Sequence, residues 1–150
     1  MTKVIVADTE TDGLAYDCTK IHVMAYTENG TDVQHTSSYD EMKRVYEAAD
    51  LLVMHNGVQH DMVVFNRILG IPMDYRKWWD SLAVSFYLFP DRKSHGLEAI
   101  GVEHGVKKPK IVNWEDLSYE EYAHRCSEDV KINYLEWLKQ KNRLEEIYET

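Results

Sequence analysis

Residues 3–13, KVIVADTETDG, decide how this chain is read. The first five, KVIVA, are a short apolar, β-branched run, the pattern of a buried strand. Asp8, Thr9 and Glu10 follow directly, and then the turn formers Thr11, Asp12 and Gly13. In extended backbone, residues i and i+2 point to the same face. Asp8 and Glu10 therefore aim two carboxylates at one point. Such hard oxygen ligands suit Mg²⁺, which takes one or two carboxylates together with phosphate oxygens and water. Taken alone, DTETDG also reads as a solvated turn. Acids elsewhere in the chain decide between the two.

Outward from this strand, residues 21–27 (IHVMAYT) read as a second strand and 32–36 as a third. The Asn29-Gly30 pair between them is a hairpin signal. Residues 39–49 carry helix formers, and 51–54 (LLVM) form another buried strand. Residues 59–69 are helical, stopped by Gly70 with Pro72 beyond. Helices are also expected over 80–89, ended by Pro90, and over 94–104. Ser118 and Glu121 form a capping box at the start of a long helix that runs to about Tyr148. The order β-β-β-α-β-α-α-α-α predicts an α/β chain, a mixed sheet with helices packed on it. With 150 residues and no linker or repeat, it is expected to be one domain, 1–150.

Two further acids are candidates to join the first pair. Asp61 follows HNGVQH, just after the LLVM strand. An acid there also complements the positive end of a helix dipole. Asp129 sits in CSEDV, within the long helix. Glu128 and Asp129 point different ways, and apolar residues at 130, 132 and 135 place one of the two toward the interior.

These elements, in this order, resemble the exonuclease domains of the DEDD superfamily, most of all the 3′→5′ proofreading domains of phage family A DNA polymerases. The matching residues are Asp8-Thr9-Glu10-Thr11, then His55-Asn56-Gly57 with His60-Asp61, then Asp129. Asp80-Ser81-Leu82 and the run from Ser94 to Ala99 (SHGLEA) resemble the family's helical landmarks. The resemblance implies a ribonuclease H-like fold and a site in which Asp8, Glu10, Asp61 and Asp129 hold two Mg²⁺ or Mn²⁺ ions. It implies hydrolysis at nucleic acid 3′ ends, DNA favoured over RNA, with release of nucleoside 5′-monophosphates. It further implies that Leu14 wedges against the terminal base and that Thr11 and Asn56 help place the 3′ end. A separate polymerase or replication protein is an expected partner, and phage encoding with action in a host cytoplasm an expected setting. An exoribonuclease on the same scaffold and a catalytically inactive interaction module are the competing readings.

The match breaks at one position. The family places a tyrosine four residues, or a histidine five residues, before the last aspartate to prepare the attacking water. Here these positions hold Arg125 and His124. A guanidinium stays charged and cannot be a general base. His124 is the catalytic candidate, the histidine subtype. On one continuous helix, however, His124 and Asp129 lie about 140° apart, so His124 reaches the site only if the chain bends near Cys126-Ser127.

Composition narrows the partners. A formal net charge of −9 opposes a general nucleic-acid binder, whose affinity comes from Lys and Arg on phosphates. Bound divalent cations are another source of positive charge, so the acidity opposes a metallonuclease less. Lys107, Lys108 and Lys110 form the densest positive run, a phosphate contact or a solvated loop. Trp78, Trp79, Phe86 and Tyr87 could stack on bases, as in single-strand binders, but their spacing suits a core better. Cys18 and Cys126 have no zinc spacing and are expected to be reduced. No secretory signal or membrane span is evident, so a cytoplasmic chain without membrane contact is expected.

Overall fold

The opening run becomes the middle strand of a five-stranded sheet. The computed structural model describes residues 2–106 and 117–149. In it, β1 (Val4–Thr11) is flanked by β2 (Ile21–Thr27) and β4 (Leu51–Met54), with β3 (Gln34–Thr36) and β5 (Trp78–Asp80) at the edges. β2 runs antiparallel to β1 and β3 antiparallel to β2, whereas β4 is parallel to β1 and β5 parallel to β4. The predicted mixed sheet is therefore present, with one strand more than the sequence showed. β5 has only three residues, too few for an alternation to register.

Alternation along β1 sorts its side chains between two cores. Ile5 and Ala7 pack with Met24, Leu52 and Met54 against α1 (Tyr39–Ala48) and α2 (Asp61–Leu69). Val6 packs with Val23, Ala25 and Val53 against α5 (Tyr119–Tyr148). The same period sends Asp8 and Glu10 to the α5 side of the sheet, where they extend the Val6 face beyond the core.

α5 is a single helix of 30 residues, started by the expected capping box of Ser118 and Glu121. α3 (Ser81–Leu88) and α4 (Leu97–Glu103) pack against it. In the β2–β3 hairpin, Gly30 has φ 80° and lies against the Tyr134 ring, so neither a Cβ nor an ordinary backbone conformation fits there. The lysine run at 107–110 lies outside the described residues. Among the described residues, no helix is long and apolar enough to cross a membrane.

Asp80 joins the fold to the loop that leads into Asp61. Its carboxylate accepts from the backbone N–H of Leu82 at 3.0 Å, capping α3. It also accepts from the N–H groups of Asn56 at 2.9 Å and Val58 at 3.2 Å. Asn56 is held at φ 58°, a left-handed conformation that asparagine tolerates better than most residues. Gly57 sits so close to Met54 and Trp78 that a Cβ would come within 2.8 Å of the Met54 side chain. Asp80→Ala removes a cap and two loop bonds together. The expected loss is about 2–3 kcal/mol, read as a fall in melting temperature of about 5–10 °C.

Candidate active site

β1 and α5 bring three of the four predicted acids together. One carboxylate oxygen each from Asp8, Glu10 and Asp129 lie within 4.8 Å of one another. Asp8 and Glu10 come from the C-terminal half of β1, and Asp129 from the buried side of α5. Glu128, its neighbour, instead pairs with Lys131 at 3.0 Å on the helix surface. Cys126 ties the two elements, donating from Sγ to the Asp8 carbonyl at 3.1 Å. Burial pushes the Cys126 thiol well up, and the charges of Asp8 and Glu10 add to this. It is a protonated packing group, not a nucleophile.

Asp61 stands beside this trio at the start of α2. It is buried, and its Oδ1 accepts from Thr9 Oγ1 at 2.5 Å. His60 Nδ1 lies 3.7 Å from the same oxygen. That contact raises the imidazole's proton affinity, partly offset by burial. Asp8 responds to the other three acids. Burial first, then Asp129, Asp61 and Glu10, push its carboxyl well above the ordinary carboxylate range. Acids gathered in this way need added positive charge before all of them ionise. Oxygen donors at this separation suit a divalent cation, so the residues present fit such an ion.

Arg125 and His124 take opposite places. Arg125 lies one turn before Asp129, and its Nε is 3.4 Å from Glu10 Oε1. His124 is exposed on another face of α5, over a shallow cavity with His35, Glu120, Ser127, Glu128 and Lys131. The bend that would carry His124 to Asp129 is missing, because α5 runs unbroken through Cys126 and Ser127. The structure therefore does not bring His124 to the acids, and helix geometry is the reason. For the hydrolysis that the resemblance implies, His124→Ala is expected to leave rate and pH profile within about twofold of wild type. A tenfold drop would return His124 to the catalytic set.

The predicted substrate contacts lie at the ends of β1 and β4 and in the loop after β1. Thr11 continues β1 one residue beyond Glu10, and its Oγ1 donates to the Gly13 carbonyl at 2.7 Å. Leu14 is 75% exposed on the loop that follows. That loop is firmly held. The Asp12 carboxylate accepts from the N–H groups of Thr19 at 2.7 Å and Lys20 at 3.1 Å. Hydrogen bonds from Thr19 and Lys20 hold the Asp12 carboxyl down to about 2. Arg67 of α2 donates to the Ala15 carbonyl at 2.6 Å and the Cys18 carbonyl at 3.2 Å. Asn56 lines a cavity of about 420 Å³ with Val58, Gln59, Leu82 and Phe86. Sequence reasoning missed the anchoring by Arg67 and Asp80, which depends on partners far away in the chain.

No protein-family model matches this chain, and no curated protein matches it by sequence. Solved structures do. Brucella melitensis NrnC with bound Mg²⁺ aligns over 97% of this chain and 75% of its own, at 19% identity and TM-score 0.73. Escherichia coli RNase D, an exoribonuclease involved in structured RNA processing, aligns over 96% of this chain and 40% of its own, at 16% identity and TM-score 0.68. Exonuclease X in complex with 5′ overhanging duplex DNA aligns over 93% and 91%, at 14% identity and TM-score 0.58. The chain has the ribonuclease H-like fold. The mixed sheet with helices packed on it, expected from the order of elements and from the family resemblance, is the architecture these proteins share.

Proposed function

We propose that this chain is a metal-dependent 3′→5′ exonuclease of the DEDD type, acting on single-stranded DNA and releasing nucleoside 5′-monophosphates. The observation that carries the reading is the convergence of Asp8, Glu10 and Asp129 within 4.8 Å, with Asp61 beside them. Chains as divergent as NrnC, RNase D and Exonuclease X share the fold on which these acids are mounted. The bound Mg²⁺ of NrnC supports the choice of metal.

Asp8, Glu10, Asp61 and Asp129 would hold two Mg²⁺ or Mn²⁺ ions. Two such ions supply a water nucleophile at neutral pH and stabilise the attacking and leaving oxygens of the displacement. The chain's own residues set the geometry. Thr9 orients Asp61, and Cys126 fixes α5, and with it Asp129, against Asp8. Leu14, exposed on its braced loop, would pack against a terminal base, and Thr11 at the end of β1 and Asn56 just after β4 would help place the 3′ end. The motif match to proofreading domains favours DNA and action beside a separate polymerase in the cytoplasm. The fold likeness to RNase D supports exoribonuclease activity as the second reading.

End-labelled single-stranded DNA and RNA, incubated with Mg²⁺ or Mn²⁺ and resolved by length, test both. The expected result is a ladder shortening from the 3′ end, faster on DNA, that stops when EDTA is added. Laddering that survives EDTA, or cleavage from the 5′ end, would sink the proposal. A faster RNA ladder would select the second reading.

A further inference from the structure

We infer that Arg125 is an internal cation of the site, which holds Glu10 before metal binds and transfers to a substrate phosphate once metal takes that carboxylate. The inference rests on the metal-dependent reading above and concerns the position where the resemblance expects a tyrosine. Arg125 and Glu10 side chains are 19% and 18% exposed, at the edge of the site, with Nε 3.4 Å from Oε1. Helical spacing puts Arg125 on the same side of α5 as Asp129. Cys126, the next residue, is bonded to the Asp8 carbonyl, which fixes this turn of the helix against β1. The position of the guanidinium is thus set by the same contacts that set the acids.

The chemistry of the group supplies the rest. A guanidinium keeps its charge at any working pH and matches the oxygens of a phosphodiester with a planar fork of donors. In the metal-free site, one positive charge beside Glu10 relieves part of the crowding among four acids. A divalent ion on Glu10 competes with that contact and repels the guanidinium. The terminal phosphodiester of a bound substrate would offer the guanidinium an anion at the same site. One residue therefore opposes metal binding and favours substrate binding, and its removal moves the two affinities in opposite directions. A residue with a merely structural role would weaken both.

The test uses the whole protein with Arg125→Gln and Arg125→Lys, each checked for folding by circular dichroism. Mn²⁺ binding is measured by calorimetry without nucleic acid. Binding of a single-stranded oligonucleotide with a 3′-terminal phosphorothioate is measured in Mn²⁺ at several salt concentrations. Arg125→Gln is expected to bind Mn²⁺ on the order of tenfold more tightly, the effect of one unit charge beside a divalent ion even at a water-like dielectric. Its slope of log affinity against log salt is expected to be shallower by about 0.7, the loss of one phosphate contact. Arg125→Lys keeps the charge and should keep the wild-type slope. If Arg125→Gln does not fold, Arg125→Tyr takes its place with the same expectations. Unchanged or weaker Mn²⁺ binding in the neutral variant overturns the inference, as does an unchanged salt slope. A wild-type protein that binds no Mn²⁺ overturns the proposed function itself, which separates the two failures.

Discussion

Asp8→Asn is expected to lower metal-dependent hydrolysis by about 10³-fold or more and, at the same time, to stabilise the metal-free protein at neutral pH. The first effect follows from the position of Asp8. It is the acid whose ionisation Asp129, Asp61 and Glu10 all oppose, so it lies among all three. Replacing groups that only support a ligand typically costs about 10–100-fold. Losing a shared ligand should cost more. The second effect follows from linkage. Burial and three like charges raise the Asp8 carboxyl above its unfolded value of 3.8. Between 3.8 and the raised folded value, the native state binds the proton more tightly than the unfolded state. Stability of the metal-free protein therefore falls as pH rises through that window. Asparagine carries no charge and removes this dependence. In EDTA, thermal melts at pH 5 and pH 8 should converge for the variant relative to wild type, and at pH 8 the variant should melt higher by a few degrees, about 2–4 °C per kcal/mol regained. Saturating Mg²⁺ should raise the wild type and leave the variant nearly unmoved, since a ligand stabilises only the state that binds it. Wild-type activity in Asp8→Asn would remove the metal site from consideration. A variant less stable than wild type in EDTA at pH 8 would remove the electrostatic account while leaving the site intact.

The parts of this site that the sequence made legible are those encoded by local period and by motif order. Alternation put Asp8 and Glu10 on one face, and the structure turns both toward α5. The apolar LLVM run and the Ser118–Glu121 capping box located β4 and the start of α5. Asp129 against Glu128 was a choice between two helix faces, settled by which one meets β1. His124 shows the same rule from the other side, for the spacing matched a family pattern while the angle on a straight helix opposed it. The continuous α5 follows the angle. β5 was illegible because three residues carry no period, and its Asp80 stood out only as the start of a helix and a family landmark. Its role in holding Asn56 and Val58 depends on a strand pairing with β4, in which Met54 meets Asp80. Arg67 and Glu136 were illegible for a related reason. Each reads as a solvated helix charge, and only packing reveals the carbonyls or cations that it meets.

Glu136→Ala is expected to destabilise the protein by about 3–5 kcal/mol, a fall in melting temperature of roughly 10–15 °C. The Glu136 side chain is fully buried. It accepts from Arg92 at 2.6 Å and 2.9 Å, lies 3.2 Å from His104 Nε2, and accepts from Gln140 Nε2 at 2.8 Å. Arg92 is itself 10% exposed and also donates to Ser85 Oγ at 2.8 Å. Removing the carboxylate leaves the largely buried Arg92 with the more exposed Glu103 at 3.1 Å as its remaining carboxylate, and the lost buried pair costs far more than an exposed ion pair contributes. Burial alone would raise the Glu136 carboxyl, but the bonds from Arg92, His104 and Gln140 outweigh it and hold the group below its ordinary value of 4.5. A depressed acid contributes stability above the unfolded value and loses it as pH falls through the folded one. Wild-type stability should therefore drop on acidification below about pH 4.5, and the variant should lack that component. The doubly substituted Arg92→Met, Glu136→Met protein should be more stable than Glu136→Ala, because no charge is left alone in the interior. Glu136 lies two turns beyond Asp129 on nearly the same face of α5, and Arg92 precedes α4, so the network clamps the helix that carries Asp129 to the α3–α4 region. Its role is to hold that helix in place rather than to act on substrate. At temperatures where Glu136→Ala remains folded, its hydrolysis rate should stay within about tenfold of wild type, in contrast to Asp8→Asn. A Glu136→Ala protein that melts within 3 °C of wild type would show that the clamp contributes little.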